Sequence, residues 1–183
     1  STVSLFLLAR ALPKENIIPI NLPFFKEEFE HKKALALSTG ISEYNFKTIP
    51  IKSAVEVVVN MQKLRVDSKD SETQIRVGNI MARTRMMILF DQAKKNNALV
   101  CGTENKSENL LGYFTRYGDA ASDIEPISHL YKTQVREFAK YLKVAQEIID
   151  KPPSAGLWPD QTDENQLGFS YEEADQVLYL YFE

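Results

Sequence analysis

The chain has 183 residues, a net charge of −3, 44% apolar residues and 26% charged ones. That is long enough for one domain with a real core, and the near-neutral balance points away from nucleic acid or an anionic membrane as partner. One cysteine, Cys101, excludes an internal disulfide framework and fits a reducing, cytoplasmic setting.

No apolar run reaches the length needed to cross a bilayer. His31 and His129 have no Cys or His at ligand spacing, which argues against a structural zinc site. In chain order, residues 2 to 11 read as a helix with Val3, Leu7 and Leu8 on one face, ended by Pro13. "NIIPINL" (16 to 22) reads as a buried strand. Residues 26 to 39 read as a charged helix stopped by Gly40, and "YNFKTIPI" (44 to 51) as the next strand. A helix is expected over 53 to 64, then a mobile, turn-prone loop over 65 to 73.

Residues 74 to 95 read as a long helix ending in Lys94-Lys95-Asn96-Asn97. "ALVCG" (98 to 102) and "DIEPI" (123 to 127) read as strands, and 131 to 142 and 170 to 181 as helices. The Pro-rich stretch 151 to 168 reads as an active-site lid without structure of its own, with Trp158 as packing anchor. Strands alternating with helices predict an α/β fold: three layers, α/β/α, around a parallel sheet of about five strands. Such sheets bind ligands at the carboxyl ends of their strands, which places Gly102-Thr103 on the ligand rim.

Four clusters stand out. Asn105 and Glu108 have the spacing of a capping box, and Glu108 alternatively offers a carboxylate to a hard cation at a phosphate site. Arg76, Asn79 and Arg83 share one helix face, either a solvated basic stripe or, through Arg83, a fork for phosphate or carboxylate. Residues 86 to 90 are apolar all round, which suggests a central helix or a subunit interface. Lys132 sits in the first turn of a helix, unfavourable for a cation unless an anion binds there; the alternative is a merely exposed lysine. Cys101 reads as an inert core thiol.

"GNIMARTRM", "GTENKSE", "GYFTRYGD", "LYKTQVRE" and "KPPSAGLWPDQTDE" occur in that order. Together they resemble the ammonia-dependent NAD⁺ synthetases of the N-type ATP pyrophosphatase family, with its Rossmann-like adenine nucleotide α-hydrolase fold. The resemblance runs from about residue 78 to the end. It implies a ligase that adenylates the carboxylate of nicotinic acid adenine dinucleotide (deamido-NAD⁺) with ATP, then releases AMP to ammonia. By position it assigns Ser1, Thr103, Lys132 and Ser154 to ATP, Arg83, Arg116 and Asp123 to deamido-NAD⁺, and Glu108 to Mg²⁺. One carboxylate has two oxygens, so Glu108 can cap and ligate together.

The resemblance further implies a homodimer, with the helix at 80 to 90 at its interface, and residues 1 to 183 as a single synthetase domain. Of the family's phosphate loop only the last serine remains, as Ser1, and Arg116 stands where lysine is common. The upstream strand, some loop residues and the C-terminal His-Lys pair are expected to be missing from this sequence, which as written should be inactive. The alternatives are the synthetase domain of a glutamine-dependent enzyme, which needs an amidase domain, or a non-catalytic nucleotide-binding relative.

Overall fold

The computed structural model describes residues 2–25 and 29–183, with the backbone alone described at Phe29. Helix α1 (Thr2–Ala11) is followed by strand β1 (Ile20–Asn21), helix α2 (Phe29–Ser38), strand β2 (Lys47–Thr48) and helix α3 (Lys52–Met61). Then come the long α4 (Ser71–Asn96), α5 (Lys106–Leu111), α6 (Lys132–Tyr141), α7 (Gln146–Ile149), α8 (Asp163–Leu167) and α9 (Tyr171–Phe182). No helix among the described residues is long and apolar enough to cross a membrane.

β1 and β2 pair in parallel, Ile20 opposite Lys47 and Asn21 opposite Thr48. The ladder runs on beyond them: Lys47 N, Ile49 N and Ile51 N donate to Pro19 O, Asn21 O and Pro23 O at 2.9, 2.9 and 3.0 Å. A second parallel contact, an isolated bridge from Cys101 to Ile124, carries Gly102 N to Ile124 O at 2.7 Å. The fold is therefore α/β with a parallel sheet, but the described residues hold two strands and one bridge, fewer than the about five expected. Prolines explain part of the shortfall. Pro19 and Pro50 have no N–H to give a ladder, and tight 3₁₀ turns at Lys14–Asn16 and Glu43–Asn45 occupy the starts of both expected strands.

The helices follow local chemistry. In α3, Val55 and Val59 stand four apart and are fully buried, while Val57 and Val58 face outward. α4 starts three residues earlier than its apolar period suggests, because Asp70 caps it by accepting from Thr73 N at 2.9 Å. The end of the expected mobile loop is thus the first turn of this helix. It stops at Asn97, which takes the left-handed φ of 50°.

Leu22, Phe24, Ile51, Val55, Val59, Val77 and Met81 pack the ends of the β segments against α3 and α4. Ile51, wholly buried there, contributes about 1.5–3 kcal/mol relative to an exposed side chain. A second cluster joins Val3 of α1 to Val135 and Ala139 of α6 and to Ile127. The apolar stretch 86 to 90 is not enclosed within the chain: Met86 is buried, but Met87 is 64% exposed and Phe90 is exposed too.

Candidate active site

The site is built where the segment after Cys101 meets α6 and α9. Gly102 permits the turn out of the sheet, for a Cβ there would stand 2.5 Å from Ser122 Oγ and 2.9 Å from Glu125 Cγ. Asp123 holds the same place from below, its Oδ2 accepting from Val100 N at 2.7 Å. Thr103 follows, exposed on the rim.

Next comes the capping box that the spacing anticipates. Glu108 N donates to Asn105 Oδ1 at 3.0 Å, and Asn105 N donates to Glu108 Oε2 at 3.1 Å. This leaves Glu108 Oε1, which accepts from Lys132 Nζ at 2.7 Å. One carboxylate thus both caps α5 and pairs with the Lys132 ammonium. Lys132 is not a merely exposed lysine. Its side chain is 18% exposed, its Nζ lies 3.9 Å from Asp163 Oδ2 and 4.8 Å over the Tyr171 ring.

Asp163 is a member of this cluster that sequence reading did not find. It is 3% exposed and accepts from the hydroxyls of Tyr113 and Tyr171, each at 3.2 Å. Burial raises its carboxyl above the ordinary range, and Lys132 and the two hydroxyls pull it partly back. Both tyrosine hydroxyls are held up by burial and then by the Asp163 charge, so they stay protonated donors.

Of the residues assigned to deamido-NAD⁺, Arg83 and Arg116 meet in a second set, while Asp123 lies apart from them beside Val100. Arg83 Nε donates to Arg116 O at 3.1 Å, and Thr115 Oγ1 donates to Asn79 Oδ1 at 2.7 Å. The loop carrying Arg116 lies close on α4: a Cβ on Gly118 would meet Thr115 Cγ2 at 2.8 Å and Ala82 Cβ at 3.0 Å. Arg76, Asn79 and Arg83 line one groove of about 290 Å³ with Val58, Gln62, Leu64 and Ile80. Arg85 points the other way, as its position on the helix requires; its Nε donates to Leu22 O, and burial lowers its guanidinium from the usual value.

Residues 151 to 168 are not structureless. Thr162 caps α8, Asp163 N donates to Pro153 O at 2.9 Å, and Leu157 N donates to Gln161 Oε1 at 2.7 Å. Leu157 rests against Gly78 of α4, where an added Cβ would stand 2.9 Å from it. Ser154 lies exposed in this segment, its Oγ accepting from Gly156 N at 3.0 Å. Ser1 lies outside the described residues. Burial pushes the Cys101 thiol up, in keeping with an inert thiol.

Glu104 is the electrostatic oddity. It is 5% exposed, and its Oε1 is buried with no hydrogen-bond partner among the described residues. Its carboxyl is pushed up to about 7, by burial first and then by Asp119, Glu125 and Glu108. The native state therefore holds a proton that the unfolded chain releases near 4.5, and stability falls as pH rises from there to about 7. Glu104→Gln removes that penalty, which amounts to about 3 kcal/mol above pH 7. Calorimetric melting of the variant and the parent should show a clear gain at pH 8 and a much smaller one at pH 5. Equal gains at both values would mean the carboxyl is not perturbed in the native protein.

Among the described residues no group of three or more His, Cys, Asp and Glu could hold a metal ion. Mg²⁺ does not need such a cage, as it is usually held by one or two carboxylates plus phosphates. Glu108 is a carboxylate of that kind, and its Oε1, which now pairs with Lys132, is the oxygen that would turn to the ion.

The NAD synthase family model matches residues 1–183. The NH₃-dependent NAD⁺ synthetase of Fusobacterium nucleatum is 43% identical over 183 residues, covering all of this chain and 68% of the relative. That of Pyrococcus horikoshii is 43% identical over 175 residues, 95% of this chain and 65% of the relative. The chain thus spans about two thirds of the length of these relatives. Among solved structures, an NMN synthetase from Francisella tularensis superposes with a TM-score of 0.83 at 37% identity, covering 97% of this chain and 71% of that one. The NAD⁺ synthetase of Burkholderia pseudomallei gives 0.76 at 25% identity, covering 97% and 68%.

Proposed function

The chain belongs to the NAD synthase family, and on that premise we propose that it serves the ATP-dependent amidation of deamido-NAD⁺ by ammonia. The observation that carries this reading is the Lys132 ammonium, held at the ligand rim in the first turn of α6 between Glu108 and Asp163. An amide cannot form from a free carboxylate, because its oxygen is a poor leaving group. Transfer of AMP from ATP to that oxygen, with loss of pyrophosphate, makes it a good one. Ammonia then attacks the carbonyl, and AMP departs.

The protein's part is positional and electrostatic rather than covalent. Lys132 neutralises ATP phosphate charge, and Thr103, Ser154 and Ser1 are the other residues we assign to ATP. Arg83, Arg116 and Asp123 take the dinucleotide. Glu108 would hold Mg²⁺, which when bound screens the phosphate oxygens and makes pyrophosphate a better leaving group. We also propose one synthetase domain, a three-layer α/β/α arrangement around a parallel sheet of about five strands, a cytoplasmic setting, and a homodimer that covers Met87 and Phe90 of α4.

The likeness to an NMN synthetase favours one variation, a mononucleotide acceptor in place of the dinucleotide. The glutamine-dependent synthetase of Acinetobacter baumannii is a weaker guide, since the chain covers 38% of it at 25% identity. The test is product formation from ATP and ammonium with each acceptor in turn, with glutamine as the alternative nitrogen donor. Ammonium-driven NAD⁺ from deamido-NAD⁺ is the expected result. ATP–pyrophosphate exchange absent with both acceptors would overturn the adenylation reading.

A further inference from the structure

Glu108 and Lys132 belong to different helices, yet their charged groups meet at 2.7 Å. The residues beside them show what holds α5 and α6 in that register. Ser107, wholly buried, precedes Glu108, and Thr133 follows Lys132. Both bond to one carboxylate on α9. Asp175, 5% exposed, accepts from the Ser107 hydroxyl on Oδ1, and from Thr133 N and Thr133 Oγ1 on Oδ2, both at 2.8 Å. Ser107 Oγ in turn accepts from Lys132 N at 2.8 Å.

The arrangement is a closed buckle. Two of the first N–H groups of α6, which have no partner within the helix, end on Asp175 or on the serine that Asp175 orients. A carboxylate at that helix start is also favoured by the helix dipole. Because the bonded residues are the immediate neighbours of Glu108 and Lys132, a shift of α9 moves both charged groups at once.

We propose that Asp175 is a positioning residue that sets the Glu108–Lys132 geometry for the bound nucleotide, through Ser107 and Thr133. The proposal rests on the reading of this site as the one that takes ATP. It makes α9, outside the five motifs, part of the site's working structure.

Asp175→Asn keeps the volume and one acceptor but loses the charge and forces a donor toward Ser107. Ser107→Ala cuts the same link from the other side, should the first variant fold poorly. In calorimetric titration with Mg²⁺, each variant is expected to bind ATP about tenfold more weakly, with the Michaelis constant for deamido-NAD⁺ within twofold of the parent. The ε-CH₂ resonance of Lys132 in lysine-labelled protein, assigned with Lys132→Arg, should move in both. That last readout needs no ligand and no turnover, so an unmoved resonance overturns the proposal even if the amidation assay fails for the parent. Unchanged ATP affinity and an unmoved Lys132 resonance would overturn the proposal, as would equal weakening of both substrates, which marks a merely structural residue.

Discussion

Replacing Lys132 by alanine is expected to lower amidation turnover by about 10²–10³-fold, the range seen when one preorganised charge-stabilising group leaves an active site. The size follows from where the ammonium sits. It is close to two carboxylates, over an aromatic face, and largely out of water, so its charge is weakly screened and already oriented. A variant lacking it presents Glu108 and Asp163 to the incoming phosphates, replacing attraction by repulsion. Steady-state rates and thermal melting must be read together, because the fold also loses a partner for a buried acid. Lys132→Arg separates the two effects: it retains the charge but replaces a compact ammonium by a planar fork. A folded Lys132→Ala protein with turnover within tenfold of the parent would remove Lys132 from the reacting centre.

Much of this site was legible one segment at a time. The spacing of Asn105 and Glu108 encodes the capping box, and the place of Lys132 in a first turn signals an anion near it. What spacing does not encode is that the two meet, since their contact depends on how α5 and α6 pack. Asp163 and Asp175 were missed for the same reason. Each looks like an ordinary surface acid in a polar or helical stretch, and each is buried only because another element covers it. The errors in the elements have local causes. Asp70 extends α4 into a stretch whose serines and charges read as loop, and Thr162 starts a helix inside a segment whose prolines read as lid. The β segments are shorter than their apolar runs, because proline interrupts the donors and only a neighbouring strand can complete a ladder.

Asp163→Ala is expected to destabilise the protein by about 2–3 kcal/mol, the penalty for stranding a buried donor. The donor in question is the Tyr171 hydroxyl, on a side chain that is wholly buried and that bonds to Asp163. Tyr113 is less affected, because its one hydroxyl proton has a second and nearer acceptor in Gln166 Oε1. For a chain of this size, each kcal/mol corresponds to roughly 2–4 °C of melting temperature. Asp163→Asn should cost far less, as an amide oxygen still accepts from Tyr171 and the site already disfavours the charge. Its sign with pH is fixed by the raised native carboxyl. The parent loses stability as pH rises through that value, whereas the amide does not, so the variant gains on the parent toward higher pH. The decisive comparison is Tyr171→Phe combined with Asp163→Ala. Removing donor and acceptor together should recover part of the single-variant loss, because no buried hydroxyl is left without a partner. Strict additivity of the two losses would show that the hydroxyl and the carboxylate do not interact in the native protein.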